Sequence, residues 1–255
     1  MPEPGILEAG QVRAMFDRIA GVYDLLNSAM TAGLHHRWRE RAVDIAGVGP
    51  GSRVLDVATG TGDLALELAR RVVPTGEVVG SDFSEGMLAR ARRKAGAAVN
   101  LRFEWGDALD LGYPDDSFDA ATVGFGVRNF SDLAQGLAEM VRVVRPGGKV
   151  VVLEFTTPTR PPLSWFYRLW FDRVVPRLGR LSAAIVGALS KSREPASGPT
   201  IAQAYTYLPE SVKRFPAPAA LAAELERAGL ERIGWVLTAG GILTIHSGTV
   251  PEKGA

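Results

Sequence analysis

The sequence predicts an α/β fold: a mostly parallel, doubly wound sheet of seven strands with a C-terminal antiparallel hairpin and an N-terminal helical extension. Three observations carry this expectation. Short apolar strands alternate with helix-like segments from Arg53 to Phe155, the rhythm of a parallel sheet covered on both faces. A glycine turn, Gly60-Thr61-Gly62, leads from the first strand into the first of those helices. The chain closes on two apolar runs joined around Ala239–Gly241, which read as a hairpin.

In chain order, residues 12–30 carry Val12, Met15, Phe16, Ile19, Tyr23 and Leu26 at helical spacing. A second segment, HHRWRERAVDIAGV, leads to the turn GPGS at 49–52, so residues 1–48 read as a helical extension laid across a core domain of residues 49–255. The strand candidates are RVLDVA, EVVGSD, NLRFEWG, FDAATVGF and KVVVLEF. Helix-like segments at 62–72 and 84–95, and a weaker one near 108–116, separate the first four. LAQGLAEMVRVV lies between the fourth and fifth, and the PGG at 146–148 reads as a turn before the fifth. Residues 157–217 form an insertion with Pro-rich punctuation and an aromatic-basic stretch. LAAELERAG then predicts a helix ending at Gly229.

Composition narrows the chemistry. With 46% apolar and 22% charged residues in a chain of 255, this is an ordinary globular composition with ample core. A formal charge of +1 gives no global signature of nucleic-acid binding. The lack of Cys excludes disulfides and thiolate chemistry, and with His35, His36 and His246 as the only histidines no metal centre is expected. MPEPGILEAG has no basic region followed by an apolar core, and no apolar stretch reaches the ~20 residues that span a bilayer. A cytoplasmic location is expected.

The glycine turn lets backbone approach a ligand closely, because Gly60 and Gly62 carry no Cβ. Asp56 stands just ahead of it, where a carboxylate disfavours bound pyrophosphate. Asp82 ends the next strand, the usual place for a carboxylate that grips ribose hydroxyls. The alternative is a cap on the helix that follows Ser84. An anionic strand end suits a cationic, phosphate-free nucleoside, and S-adenosylmethionine (SAM) is such a ligand.

DVATGTGD, SD at 81–82, GDA at 106–108, FDAATVGF and VRPGGKVVVLEF together resemble a class I SAM-dependent methyltransferase, block by block and in order. FDRIAGVYDLLN, GLHHRW, GFGVRNFSD, LEFTTP, YTYLPESVKRFP and GGILTIHSG narrow this to a resemblance to the ubiquinone/menaquinone biosynthesis C-methyltransferase family, from about Val12 to Gly248. The resemblance implies a Rossmann-like fold, SAM as methyl donor and a membrane-borne polyprenyl quinol as substrate. By position it implies Thr61, Asp82 and Phe83 as cofactor contacts, with Asp107 and Ala108 beside the adenine. Ala58 replaces the usual first glycine of the loop, Asp107 falls where other members have Asn, and Gly124 falls where some have Ser.

Arg128 and Asn129 follow the fourth strand, and in a doubly wound sheet that end faces the ligand crevice. Arg128 is therefore expected to stabilise a quinol phenolate, and Asn129 to orient an oxygen or the cofactor. Tyr23 and His36 are secondary candidates for substrate contact, and His246 reads as structural. Residues 163–189 interleave Trp165, Phe166, Trp170 and Phe171 with Arg168, Arg173, Arg177 and Arg180, which suits peripheral contact with the inner face of the membrane. A core helix or the partner surface of a homodimer fits the same stretch. Residues 182–204, small and rich in Pro and Gly, read as a loop. The resemblance implies demethylmenaquinol as the quinol first; the 2-methoxy-6-polyprenyl-benzoquinol of ubiquinone biosynthesis, another phenolic or lipid substrate, a dinucleotide oxidoreductase and a non-catalytic scaffold that binds SAM or lipid are the other readings.

Overall fold

The structure is a computed structural model that describes residues 9–20, 23–24, 34–159, 161, 163–169, 173–174, 177 and 201–252. Its strands are β1 (Arg53–Val57), β2 (Glu77–Asp82), β3 (Leu101–Trp105), β4 (Phe118–Gly124), β5 (Val144–Phe155), β6 (Glu231–Thr238) and β7 (Leu243–Thr249). Its helices are α1 (Ala9–Ile19), α2 (His35–Ala46), α3 (Asp63–Val72), α4 (Glu85–Ala95), α5 (Leu133–Val143), α6 (Leu163–Leu169), α7 (Ile201–Arg214) and α8 (Pro218–Arg227).

The strands form one sheet in the order β3-β2-β1-β4-β5-β7-β6. The first five run parallel, and β7 lies antiparallel between β5 and β6. Side chains alternate across such a sheet, so each strand feeds two cores. Val54, Val78, Ala120 and Val151 pack with apolar residues of α2, α3 and α4 on one face. Leu55, Val79, Ala121 and Val152 pack with those of α5 and α8 on the other. Leu68, Leu137, Leu153 and Leu225 are fully buried, each contributing about 1.5–3 kcal/mol of transfer free energy. Strand order reverses between β1 and β4, which opens a crevice beyond their carboxyl ends.

Five expectations need correction. The helix read over 12–30 ends at Ile19; Ala20 is in a turn, Tyr23 and Asp24 are helical again, and the remainder to residue 33 lies outside the described residues. Gly21, a poor helix former, follows in the sequence. Second, the extension read over residues 1–48 supplies a layer of the core itself, since Ala42, Val43 and Ala46 of α2 are buried against the sheet. Third, residues 108–116 contain no helix. An isolated bridge pairs Asp107 with Asp110, and Gly112, Pro114 and Asp116 at φ 57° carry the chain in turns.

Fourth, Pro146-Gly147-Gly148 is not a turn before β5 but an irregularity inside it. Pairing with β4 passes from Phe118–Val144 to Ala120–Lys149, and Gly147 absorbs the extra length at φ 77°. Fifth, among the described residues the aromatic-basic stretch is helical over α6 and again at 173–174 and 177; Trp170, Phe171 and all of 178–200, Arg180 included, lie outside them. Residues 201–204, read as loop, open α7. The C-terminal hairpin is as expected, with a 3-10 turn at Ala239–Gly241.

Candidate functional site

The loop after β1 is held open by its own backbone. Ala58, Gly60 and Gly62 all adopt left-handed conformations, with φ of 49°, 57° and 83°. A Cβ on Gly62 would stand 2.7 Å from the Phe103 ring, so only glycine fits there. Asp56, fully buried at the end of β1, accepts hydrogen bonds from the hydroxyls of Thr59 (2.6 Å) and Thr122 (2.8 Å). Asp82 accepts from the amides of Gly60 and Ser84, both at 2.8 Å. The cap of α4 is Ser84, whose Oγ accepts from the Met87 amide, so Asp82 instead ties the glycine loop to the turn after β2. Burial pushes both aspartates up to about 6.

The crevice between these loops encloses about 1020 Å³, its open mouth included. Of the expected site residues, Tyr23, Asp56, Gly60, Thr61, Asp82, Phe83, Asp107, Ala108, Gly124 and Asn129 line it. Asp63 lines it too, which gives four carboxylates with Asp56, Asp82 and Asp107; Arg39 is the one basic side chain among the described lining residues. This donor set fits a ligand with positive charge. It does not fit a pyrophosphate, because the Gly60 amide that would meet one already donates to Asp82. The residues present therefore fit SAM: carboxylates for its sulfonium and ammonium groups, Asp82 at the strand end suited to ribose, and Asp107 with Ala108 at the far end.

The N-terminal segment closes one side. Phe16 and Tyr23 line the crevice and meet edge to face, with centroids 6.3 Å apart. Asp17 accepts from the Ser84 hydroxyl at 2.6 Å and the Gly86 amide at 3.0 Å, which pins α1 to the start of α4. Asp24 accepts from the Thr61 hydroxyl at 2.6 Å and from Lys94 at 3.2 Å. Thr61 thus faces the crevice and anchors its cover at once.

Arg128 is placed differently from expectation. Its guanidinium turns back from the crevice and is buried on Glu154 (2.7 Å), the Phe125 carbonyl (2.6 Å) and the Ser211 hydroxyl (3.3 Å). Glu154 is fully buried, and burial raises its pKa while Arg128 opposes the rise. Asn129, next in the same 3-10 turn, does line the crevice, and its Oδ1 accepts from the Tyr207 hydroxyl at 3.0 Å. Tyr207 and Ser211 lie four residues apart on α7, so one face of that helix holds both members of the Arg-Asn pair. Gly62 caps α3 and does not line the crevice. Nor does His36, which is exposed; its neighbour His35 is the buried one. His246 is buried, packed on Trp235 and bonded to the Pro218 carbonyl, as a structural residue would be.

Sequence motifs alone assign no role to Arg39, Asp63, Asp24 or Glu154. Arg39 left a signal: His35, Arg39, Ala42, Val43 and Ala46 form the buried stripe of α2, which puts a guanidinium where an apolar residue belongs. Glu154 left a similar one, a carboxylate in the apolar run KVVVLEF.

Comparison with known proteins gives the same picture. The fold matches a SAM-dependent methyltransferase from Aquifex aeolicus with a TM-score of 0.57 at 20% identity, over 83% of this chain and 89% of that one. A demethylmenaquinone methyltransferase of Thermus thermophilus is 47% identical over 93% of this chain and 100% of its own length. One from Deinococcus radiodurans is 48% identical over 90% of this chain and 88% of its own. The model of the ubiE/COQ5 methyltransferase family spans residues 6–250, taking in the glycine loop, the Arg-Asn turn and the helix that grips it, and the chain belongs to that family.

Proposed function

We propose that this protein methylates a ring carbon of a prenylated quinol, demethylmenaquinol first, at the expense of SAM. One observation carries the reading: a crevice at the sheet's switch point with four carboxylates against one guanidinium, edged by Asn129 and Tyr207. Bound SAM supplies an electrophilic methyl. The ring carbon becomes nucleophilic when a neighbouring hydroxyl ionises, and for a phenol of pKa ~10 that costs about 4 kcal/mol at pH 7. Opposite charges disappear as the bond forms, so a site that excludes water favours the step. Phe16 and Tyr23 support that role for the N-terminal segment.

Asn129 is suited to hold the quinol oxygen, since it faces the crevice and Tyr207 fixes its amide. Glu154 offsets the charge of Arg128, so we assign Arg128 to positioning the Asn129 turn rather than to direct phenolate contact. Water or a carboxylate takes the phenolic proton. For a substrate in the bilayer, α6 is the proposed contact: Trp165 and Leu169 are exposed there while Tyr167 is buried against Val212. Among the described residues no helix is long and apolar enough to cross a membrane, which suits peripheral attachment from the cytoplasmic side.

The test is methyl transfer in vitro. Purified protein with isotopically labelled SAM should label short-chain demethylmenaquinol, with weaker labelling of a methoxy-polyprenyl-benzoquinol. SAM binding without label on either quinol would instead make the protein a scaffold.

A further inference from the structure

Arg39 is 8% exposed, lines the crevice, and has no hydrogen-bond partner for its Nη1. A buried, charged donor left in that state costs more than a neutral one. The guanidinium is held on two sides. Nη2 stands 3.3 Å from Asp63, and the guanidinium carbon lies 5.6 Å from the centre of the Phe125 ring. Asp63 also receives Lys94, so its charge is shared between two cations and Arg39 retains charge for another anion. A guanidinium fixed by an aromatic ring on one side and a carboxylate on one nitrogen presents its remaining edge in a set direction. That edge belongs to a crevice whose other charged lining residues, among those described, are all acids.

An anion is therefore wanted at one spot in a site otherwise built for positive charge. The reading above, on which this step rests, supplies a ligand with a single anionic group: SAM carries one carboxylate, at the end of its methionyl chain. The location agrees. Phe125 follows β4 and Asp63 opens α3, whereas Asp107 and Ala108, suited to the adenine, follow β3, the edge strand two places beyond β1. We propose that Arg39 binds the α-carboxylate of SAM through Nη1 and so sets how far the methionyl chain extends along the crevice.

Calorimetry on the full-length protein tests this with two probes, S-adenosylhomocysteine and 5′-methylthioadenosine, which shares the thioether-linked adenosine but lacks the amino-carboxylate. Arg39→Gln should weaken S-adenosylhomocysteine by about 10- to 100-fold, the range for a charge-assisted hydrogen bond, while methylthioadenosine binds as to wild type. Arg39→Lys should recover part of the loss. Equal weakening of both probes would make Arg39 a purely structural residue and overturn the proposal. So would unchanged binding of both, and a raised KM for the quinol in that case would move Arg39 to the substrate. Failure of the wild-type protein to bind either probe would instead overturn the SAM reading itself.

Discussion

At the scale of single residues, the crevice is shaped by carboxylates kept out of water. Asp56 and Asp82 sit near 6, well above the ordinary ~3.9, because burial disfavours their charged forms. The native protein therefore holds protons between about pH 4 and 6 that the unfolded chain has released, so these two groups make stability fall as pH rises through that window. A cationic ligand reverses the preference by binding their ionised forms. SAM should accordingly bind about tenfold more weakly at pH 5 than at pH 7.5 for each of the two carboxylates that must ionise, and binding near pH 6 should expel protons. Calorimetry in buffers of different ionisation enthalpy reads that release directly; a binding heat independent of buffer would mean neither carboxylate titrates with the ligand. Gly126 makes a different prediction. A Cβ there would lie 2.6 Å from Ala58 Cβ, pushing the end of β4 against the glycine loop. Gly126→Ala should lower both the melting temperature and SAM affinity, a loss of about 1–3 kcal/mol by overpacking, measured by calorimetry and urea unfolding.

At the scale of elements, α7 explains why the Arg-Asn and Tyr-Leu-Pro-Glu-Ser blocks occur together in one chain. Tyr207 holds Asn129 and Ser211 holds Arg128, so the helix clamps the turn that ends β4. Tyr207→Phe should remove the tether on Asn129 and lower kcat about tenfold, with SAM affinity unchanged, if Asn129 positions the quinol. A parallel loss of SAM binding would assign the clamp to the cofactor instead. Glu154→Gln leaves Arg128 buried without its counter-charge, and urea unfolding should show a loss of about 3 kcal/mol. Elements like these differ in how plainly sequence announces them. The parallel strands were legible because their apolar runs are short and alternate with helices, and the hairpin because two such runs meet around Ala239–Gly241. The segment 108–116 was not: alternation of strands and helices asks for a helix there, although Leu109, Leu111 and Tyr113 recur every second residue and Gly112 and Pro114 oppose a helix. The clamp was legible only as two resembling blocks, because contact between residues 78 apart leaves no local pattern.

For the whole molecule, the site's location followed from strand order alone, whereas the charge balance inside it did not. Asp56 and Asp82 could be read because strand-end carboxylates beside a glycine turn have a known use. Arg39 stands out only once α2 packs as a layer of the core, which puts a guanidinium in its buried stripe. That distinction defines what can be removed. Val12, Met15 and Ile19 of α1 are buried, yet neither core cluster on the faces of the sheet includes them. Deleting residues 1–30 should therefore leave a cooperative unfolding transition, at a lower temperature than that of the full chain. The same deletion removes Phe16 and Tyr23 from the crevice, frees Ser84 and Gly86 of Asp17, and frees Thr61 and Lys94 of Asp24. The carboxylates that fit SAM all lie beyond residue 30, so its affinity should fall by less than about tenfold. Turnover should fall by a further ~100-fold or more, because water then reaches the pair of charges that must meet. Turnover that survives deletion would strip the segment of its covering role; loss of the cooperative transition would make it part of the core.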